Sequence, residues 1–348
     1  MRNRPVLPTC AAGLALALAA CASGGEALTT PADQVRSMQD GARTAPPFPP
    51  DGPGNPGAAA PSARPAGGTL PGKRPNTLTP DDTVEFCTPA PGVELLMDIY
   101  YPDGHSADSN DPAIVYVHGG GWTAGSRDTG EGSRYIPALV SHGYVVFAID
   151  YRLAPEYPFP AQIEDAQCAI RHVRAEAATY GIDPDRIGAM GGSAGGQLVN
   201  LLGVAEDGDF ATRGGYEEYS SEVQAVAAMY GASDFSDPNM ANHNANHVQV
   251  FGTGVYEHDP SNTLWMASAV NYIDAGDADY LLLHGEEDPV VPVSQSEIFS
   301  AALEEAGVSV DFVRVANAGH GFDPAGGRPD PSANALTTIM VKFFESHL

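Results

Sequence analysis

The chain is 348 residues long and carries 44 Asp and Glu against 17 Lys and Arg, a formal net charge of −27. That balance excludes a phosphate-backbone binder, whose surface displays basic patches, so nucleic acid is not expected as a partner. Hydrophobic residues make up 43% and charged ones 18%, a globular balance, and the length allows either two domains or one large α/β unit behind a tail.

Arg2 and Arg4 precede an apolar stretch, Ala11 to Ala20 (AAGLALALAA), too short to cross a hydrocarbon core of roughly 30 Å. Residues 1–20 therefore read as a signal peptide. The stretch ends Leu18-Ala19-Ala20-Cys21, which resembles the bacterial lipobox. The resemblance implies acylation of Cys21, a membrane contact through that lipid and a place in the cell envelope; an ordinary secretory peptide is the alternative. Residues 22–80 hold 12 Pro, 9 Gly and a single aromatic residue, Phe48. Such a segment cannot pack a core, so 21–80 is expected to be a lipid-anchored linker and 81–348 the folded unit. Residues 1–80 hold seven basic and four acidic residues, leaving ten and forty for the folded unit, or −30. Anionic headgroups would repel such a unit, which suits a long spacer, and high acidity also suits salty surroundings.

Strand signals begin with Thr83 to Cys87 and Leu95 to Tyr100, separated by a Pro-Gly turn as in a hairpin. Short apolar runs of the fully buried kind follow at 113–117, 144–149, 186–190, 224–229, 280–283 and 310–315. Helical patterns at 137–141, 162–177, 196–204, 294–306 and 335–346 separate and close them. The expected fold is α/β, a doubly wound, mostly parallel sheet of about eight strands with helices on both faces. Functional loops then lie at the carboxyl ends of the strands. Of the two cysteines in this unit, Cys168 lies in the apolar helical run of Ile163, Ala166, Ala169, Ile170 and Val173. That placement favours two buried thiols, although an envelope compartment permits a Cys87–Cys168 bridge.

After the run Arg186 to Met190, Gly191-Gly192-Ser193-Ala194-Gly195 fits Gly-x-Ser-x-Gly between a strand and a helix. A nucleophilic serine needs a sharp, strained turn there, and the glycines let strand and helix approach. A plain βα turn is the structural alternative. After the strand at 113–117 comes His118-Gly119-Gly120-Gly121-Trp122, whose consecutive glycines leave backbone N–H groups unobstructed. The N–H groups of Gly120, Gly121 and Ala194 are the expected oxyanion hole. His118 reads as a structural hydrogen-bonding residue. His243 and His247 have the spacing of a metal pair, but HNANH lacks the Glu of a zinc-protease motif, so no metal is expected. No Walker loop or dinucleotide fingerprint is present, and no cofactor is implied.

With HGGGW, Tyr151-Arg152-Leu153-Ala154-Pro155 and YGIDPDRIGAMGGSAGG, residues 81–348 resemble the α/β-hydrolase superfamily, specifically hormone-sensitive-lipase-like esterases and the bacterial feruloyl/acetyl-esterase-like (BD-FAE-like) group. The commonest lipase-like form has Asp before the nucleophile, where this chain has Gly192. That departure and His284-Gly285-Glu286-Glu287-Asp288-Pro289 favour the feruloyl/acetyl-esterase-like branch. The resemblance implies a Ser193, Asp288, His320 triad in chain order Ser, acid, His, with Glu286 and Glu287 in a solvated acidic loop. It further implies a cofactor-free serine esterase acting on small esters such as acetylated or feruloylated sugars. Residues 231–277 read as a small lid whose Phe235, Phe251, Tyr256, Trp265 and Tyr272 favour packing, and Trp122 is the expected substrate-pocket residue. A prolyl-peptidase-like amidase and a non-catalytic surface binding protein are the rival readings; oligomeric state is not set by the sequence.

Overall fold

A computed structural model describes residues 78–237, 240 and 247–348. The signal-peptide segment, Cys21, the linker up to residue 77 and His243 lie outside the described residues. No described helix is long and apolar enough to cross a membrane.

All eight expected strands form: β1 (Asp82–Cys87), β2 (Leu95–Tyr100), β3 (Asp111–Val117), β4 (Val145–Ile149), β5 (Ile182–Gly192), β6 (Ala225–Met229), β7 (Asp279–Gly285) and β8 (Val310–Val315). They make one sheet in the order β1-β2-β4-β3-β5-β6-β7-β8. The β1–β2 hairpin and the β2–β4 pair are antiparallel, and β4 through β8 are parallel. The described helices are α1 (Gly132–Ser141), α2 (Ala161–Ala175), α3 (Ala177–Tyr180), α4 (Ala194–Val204), α5 (His247–Phe251), α6 (Thr263–Ala267), α7 (Ser294–Ala306) and α8 (Ala333–His347).

The sheet has a hydrophobic layer on each face because its strands alternate. Ile114 and Tyr116 enter a layer with Ile136 and Leu139 of α1 and Met340 and Phe344 of α8. Val115 and Val117 enter the other, with Ile163 and Ile170 of α2, Leu198 of α4 and Phe299 of α7. Covering both faces explains why β4 and β6 read as unbroken apolar runs, buried at every position. This is the doubly wound α/β-hydrolase arrangement expected from the sequence.

Of the element boundaries that differ, two have clear physical reasons. α1 begins at Gly132, ahead of the proline taken as its start. Pro137 lies inside it, where the unmatched carbonyl belongs to exposed Ser133 and can be hydrated. β5 extends back to Ile182 through Asp183-Pro184-Asp185, which hydrophobicity did not mark. Polar ties hold that portion: Asn110 donates to Asp183 at 3.1 Å, and Arg186 bonds Asp183 at 2.9 Å and the Asn110 carbonyl at 2.6 Å.

The expectation of two buried thiols is corrected, since Cys87 of β1 and Cys168 of α2 form a disulfide. Helix α2 packs against β1, bringing residues separated by 81 positions together. The YRLAP segment is tied to the same helix by buried charge. Arg152 Nε lies 2.9 Å from both Asp165 carboxylate oxygens, its Nη2 3.0 Å from Glu164, and its backbone N–H donates to Asp165 at 2.8 Å. Burial opposes the Arg152 charge, but these carboxylates outweigh it and raise its pKa. The loop closed by the disulfide implies a stabilisation on the order of 4 kcal/mol in the chain-entropy picture. A Cys87→Ala/Cys168→Ala variant is therefore expected to lose about 2–5 kcal/mol of unfolding free energy in urea titrations. Reductant should destabilise the wild type by a similar amount and leave the variant unaffected.

Candidate active site

β3 and β5 are neighbours in the sheet, but the chain visits β4 on the far side of β3 between them. Loops leaving the carboxyl ends of β3 and β5 therefore diverge and leave a crevice. Val117 is in register with Gly191, so His118 to Trp122 and Ser193 emerge side by side. A Cβ on Gly119 would stand 3.4 Å from the Ser193 Cβ.

Ser193 links β5 to α4 with φ 58° and ψ −119°, a left-handed φ that is costly for a residue with a side chain. It persists because both flanks are fixed. The Ser193 N–H donates to Met229 O at 2.9 Å, and Gly195 packs so closely on the Val117 and His118 carbonyls that no Cβ would fit. The Ser193 side chain does not cap α4; it faces His320, whose Nε2 is 2.9 Å from Oγ. His320 Nδ1 is 2.8 Å from Asp288 Oδ2. A carboxylate only accepts, so Nδ1 carries the proton and Nε2 is left to accept from the serine hydroxyl.

Asp288 is held from several sides. Its Oδ1 accepts from the Val290 and Val291 N–H groups at 2.8 and 2.9 Å. Burial alone would raise its pKa. Hydrogen bonding with His284 and His320, the charge of His320 and the Val291 N–H outweigh burial and hold the carboxyl well below the usual carboxylate range. His284 is fully buried, with Nε2 2.9 Å from Val291 O and 3.5 Å from Asp288 Oδ2, and Nδ1 2.7 Å from Ser296 Oγ. The carbonyl partner places the proton on Nε2, and Ser296 donates to Nδ1. Sequence reasoning missed His284; its signal was a histidine in the i, i+4 relation to the acid. Glu287 is exposed, as expected of a solvated loop, yet it also makes a specific tie. Its Oε2 accepts from the Ala318 N–H at 3.1 Å and its own N–H donates to Ala318 O at 3.0 Å, which straps the acid loop to the histidine loop. Glu286 is exposed, as expected.

Gly120, Gly121 and Trp122 have φ of 129°, 60° and 58°. This left-handed run bends the loop so that Thr123 and Ala124 N–H groups donate to Gly120 O at 3.3 and 3.1 Å. With glycine at 120 and 121, no side chain covers the loop at those two positions. Ala194, as the first residue of α4, adds an N–H with no intrahelical carbonyl. His118 behaves as a structural residue. It is buried, its Nδ1 donates to Gly119 O at 2.7 Å, its ring stacks on Tyr151 at 4.2 Å, and the Tyr151 hydroxyl donates to His118 O at 3.0 Å. Burial lowers its pKa and keeps it neutral.

Trp122, expected to line the substrate pocket, is instead 3% exposed. Its Nε1 donates to Gln197 of α4 at 3.0 Å, and Gln197 donates to Ala267 O at 2.9 Å. Its ring packs among Phe235, Phe251 and His247. The left-handed φ of Trp122 turns the indole inward, which the motif could not reveal. The same cluster absorbs His247, and Phe251 on Phe159 and Tyr272 on Phe210 bind the segment between β6 and β7 to the body. Among that segment's described residues, the exposed large hydrophobic ones are Val248 and Val255.

The BD-FAE family model matches residues 97–303. Esterase LipQ of Mycobacterium tuberculosis is 34% identical over 67% of this chain and 56% of its own length. Esterase LipC of the same organism is 31% identical over 68% of this chain and 59% of its own. The chain thus spans little more than half the length of these curated relatives. Among solved structures, a truncated carbohydrate esterase from gut microbiota superposes with a TM-score of 0.65 at 28% identity, covering 79% of this chain and 99% of that one. A thermophilic esterase of Thermogutta terrifontis with bound butyrate gives 0.64 at 25% identity, covering 76% of this chain and 93% of that one. With more than half of its residues inside the family model and mycobacterial esterases at over 30% identity, the chain belongs to the BD-FAE family.

Proposed function

We propose that the protein is a serine carboxylic ester hydrolase for short acyl esters, with Ser193 as nucleophile, His320 as general base and Asp288 as the group that orients it. The observation that carries this reading is the continuous pair of hydrogen bonds Ser193–His320–Asp288 at 2.9 and 2.8 Å, set beside the loop that carries Gly120 and Gly121. His320 Nε2 takes the hydroxyl proton as Oγ attacks the ester carbonyl, and Asp288 stabilises the resulting imidazolium. The Gly120, Gly121 and Ala194 N–H groups receive the oxyanion. His320 then protonates the leaving alcohol, an acyl-enzyme remains on Ser193, and water activated by the same histidine releases the acid.

Short acyl groups and acylated carbohydrate are the favoured substrates. The support is the butyrate captured in the Thermogutta terrifontis esterase and the carbohydrate-esterase name of another structural neighbour. For location, the reading is an envelope protein held by a lipid on Cys21. The Cys87–Cys168 disulfide supports an oxidising compartment.

Ser193→Ala is expected to lower p-nitrophenyl acetate turnover on the order of 10⁴-fold or more while the protein remains folded; a variant retaining most of its activity would refute the assignment. In a p-nitrophenyl series, acetyl and butyryl esters should exceed octanoyl esters in kcat/KM. Asp288→Asn should cost about 10⁴-fold in kcat by releasing the imidazole tautomer. Because the folded state lowers the Asp288 pKa, its stabilisation is complete above the unfolded value of about 3.9 and is lost as pH falls through the lower folded value. The stability gap between wild type and Asp288→Asn, followed by urea unfolding, should therefore narrow below about pH 4. Metabolic labelling with a palmitate analogue should mark the wild type and not Cys21→Ser.

A further inference from the structure

After Ala194-Gly195-Gly196, Gln197 is the first residue of α4 whose side chain extends beyond a methyl group. Space requires the two glycines before it: a Cβ on Gly195 would collide with the Val117 carbonyl, and one on Gly196 would stand 2.7 Å from Met229 O. Gln197 thus follows the turn that presses α4 onto β3 and β6, and it is fully buried. A buried amide is costly unless both of its ends are bonded. Here both are, since Oε1 accepts from Trp122 Nε1 at 3.0 Å and Nε2 donates to Ala267 O at 2.9 Å. An indole N–H only donates and a backbone carbonyl only accepts, so the amide has one workable orientation. One side chain therefore joins three segments: α4, the loop after β3, and the stretch between β6 and β7 at the end of α6.

The loop after β3 carries Gly120 and Gly121, and Trp122 follows them directly. Trp122 has φ 58°, a conformation that a bulky side chain keeps only under outside restraint. Three restraints meet on it. The Ala154 N–H donates to its carbonyl at 2.9 Å, Phe251 stands edge to face with its indole at 5.1 Å, and the Gln197 amide holds its Nε1. The first two come from the segment after β4 and from α5. Gln197 differs, because it belongs to the helix that Ser193 caps and Ala194 begins, and its own N–H donates to Ser193 O at 3.0 Å. The bond from Trp122 thus ties the glycine loop to the helical turn that bears the nucleophile.

We propose that Gln197 is a positioning residue for oxyanion stabilisation: its amide holds the Gly120–Trp122 loop in register with the amino end of α4, so that the N–H groups of Gly120, Gly121 and Ala194 converge on one oxygen. The inference rests on the role given to those three groups in the hydrolase reading. The Gln197 side chain is committed to Trp122 and Ala267 and acts on the reaction only through the loop. Its loss shifts donors that matter when negative charge develops on the carbonyl oxygen, so it weakens the transition state more than ester binding. The bonds joining Ser193, His320 and Asp288 do not pass through Gln197, so the pH dependence set by His320 stays where it is.

The test compares wild type with Gln197→Met, close in length but without the amide, and with Trp122→Phe, which removes the indole N–H. Fluorophosphonate labelling of Ser193, run to completion, counts the competent molecules, so that kcat is expressed per folded site. Each variant is expected to lower kcat for p-nitrophenyl acetate on the order of 10- to 100-fold, with KM within about threefold and the pH midpoint of kcat/KM unchanged. A trifluoromethyl ketone reads the oxyanion directly. Ser193 Oγ adds to its carbonyl carbon, the carbonyl π pair moves onto oxygen as the oxyanion, and the hydroxyl proton passes to His320. Its affinity should fall by about the same factor as kcat. A kcat per site within about twofold of wild type, a change confined to KM, a shifted pH midpoint, or a kcat loss with ketone affinity intact would overturn the proposal. A purely structural role shows as fewer labelled sites with normal kcat at each, and overturns it too. If Gln197→Met leaves no labelled sites, Trp122→Phe decides by the same readouts. A wild type with neither ester turnover nor a fluorophosphonate adduct on Ser193 would instead overturn the hydrolase reading itself. An active, labelled wild type whose variants match it overturns only the role of Gln197.

Discussion

The structure depends on the parallel pairing of β3 with β5 at the point where the chain reverses its direction across the sheet. With Val117 opposite Gly191, the ladder delivers the glycine loop and the serine turn to one place. Gly195 lets α4 start directly against the Val117 and His118 carbonyls. That contact fixes Ser193 in its left-handed conformation and aims the amino end of α4 at the same point as the left-handed run Gly120 to Trp122. A bulkier residue at 195 would separate these two loops and so dissolve the site without altering any of its polar residues.

The remaining groups come from β7 and β8, at the far side of the sheet from β3. Their loops depend on short polar links: Asp288 on two backbone N–H groups, His284 on Val291 and Ser296, Glu287 on Ala318. The charge imbalance of the folded unit makes sense in this light. With few cations available, some carboxylates are matched to backbone N–H groups, as Asp207 is to Ser221 and Asp81 to Tyr101, at 2.9 and 2.8 Å. A carboxylate accepting from N–H groups retains its charge without a basic partner, so an acidic sequence still yields ordered loops. The cations that are present cluster where loops must be anchored, as with Arg152 on α2 and Arg127 between Asp98 and Asp150 at 2.8 and 2.7 Å.

Legibility in the sequence followed the range of the interactions concerned. Strand positions were readable because two covered faces demand unbroken apolar runs, and the serine turn was readable because its glycines are adjacent in the chain. The polar start of β5 was not, since its pairing depends on Asn110 and Arg186 and not on hydrophobicity. Trp122 was misplaced because its neighbours in the fold, Gln197, Phe235 and Phe251, are remote in sequence and a positive φ turns the ring toward them. Glu287 is the solvated acid it looked like, but its tie to Ala318 joins two loops that the sequence does not relate. The disulfide was undecided for the same reason: an apolar helical position suits a thiol and a half-cystine equally.

The sequence by itself determined the alternation of elements and the residue types of the site, because these follow from periodicity, glycine placement and the order of motifs along the chain. Only the tertiary structure decided which groups meet. The bond from His320 to Ser193, the strap from Glu287 and the closure of Cys87 on Cys168 each join segments that no local pattern relates. They are set by strand order and register, which bring distant residues within ångströms, and a one-dimensional pattern carries no such distances.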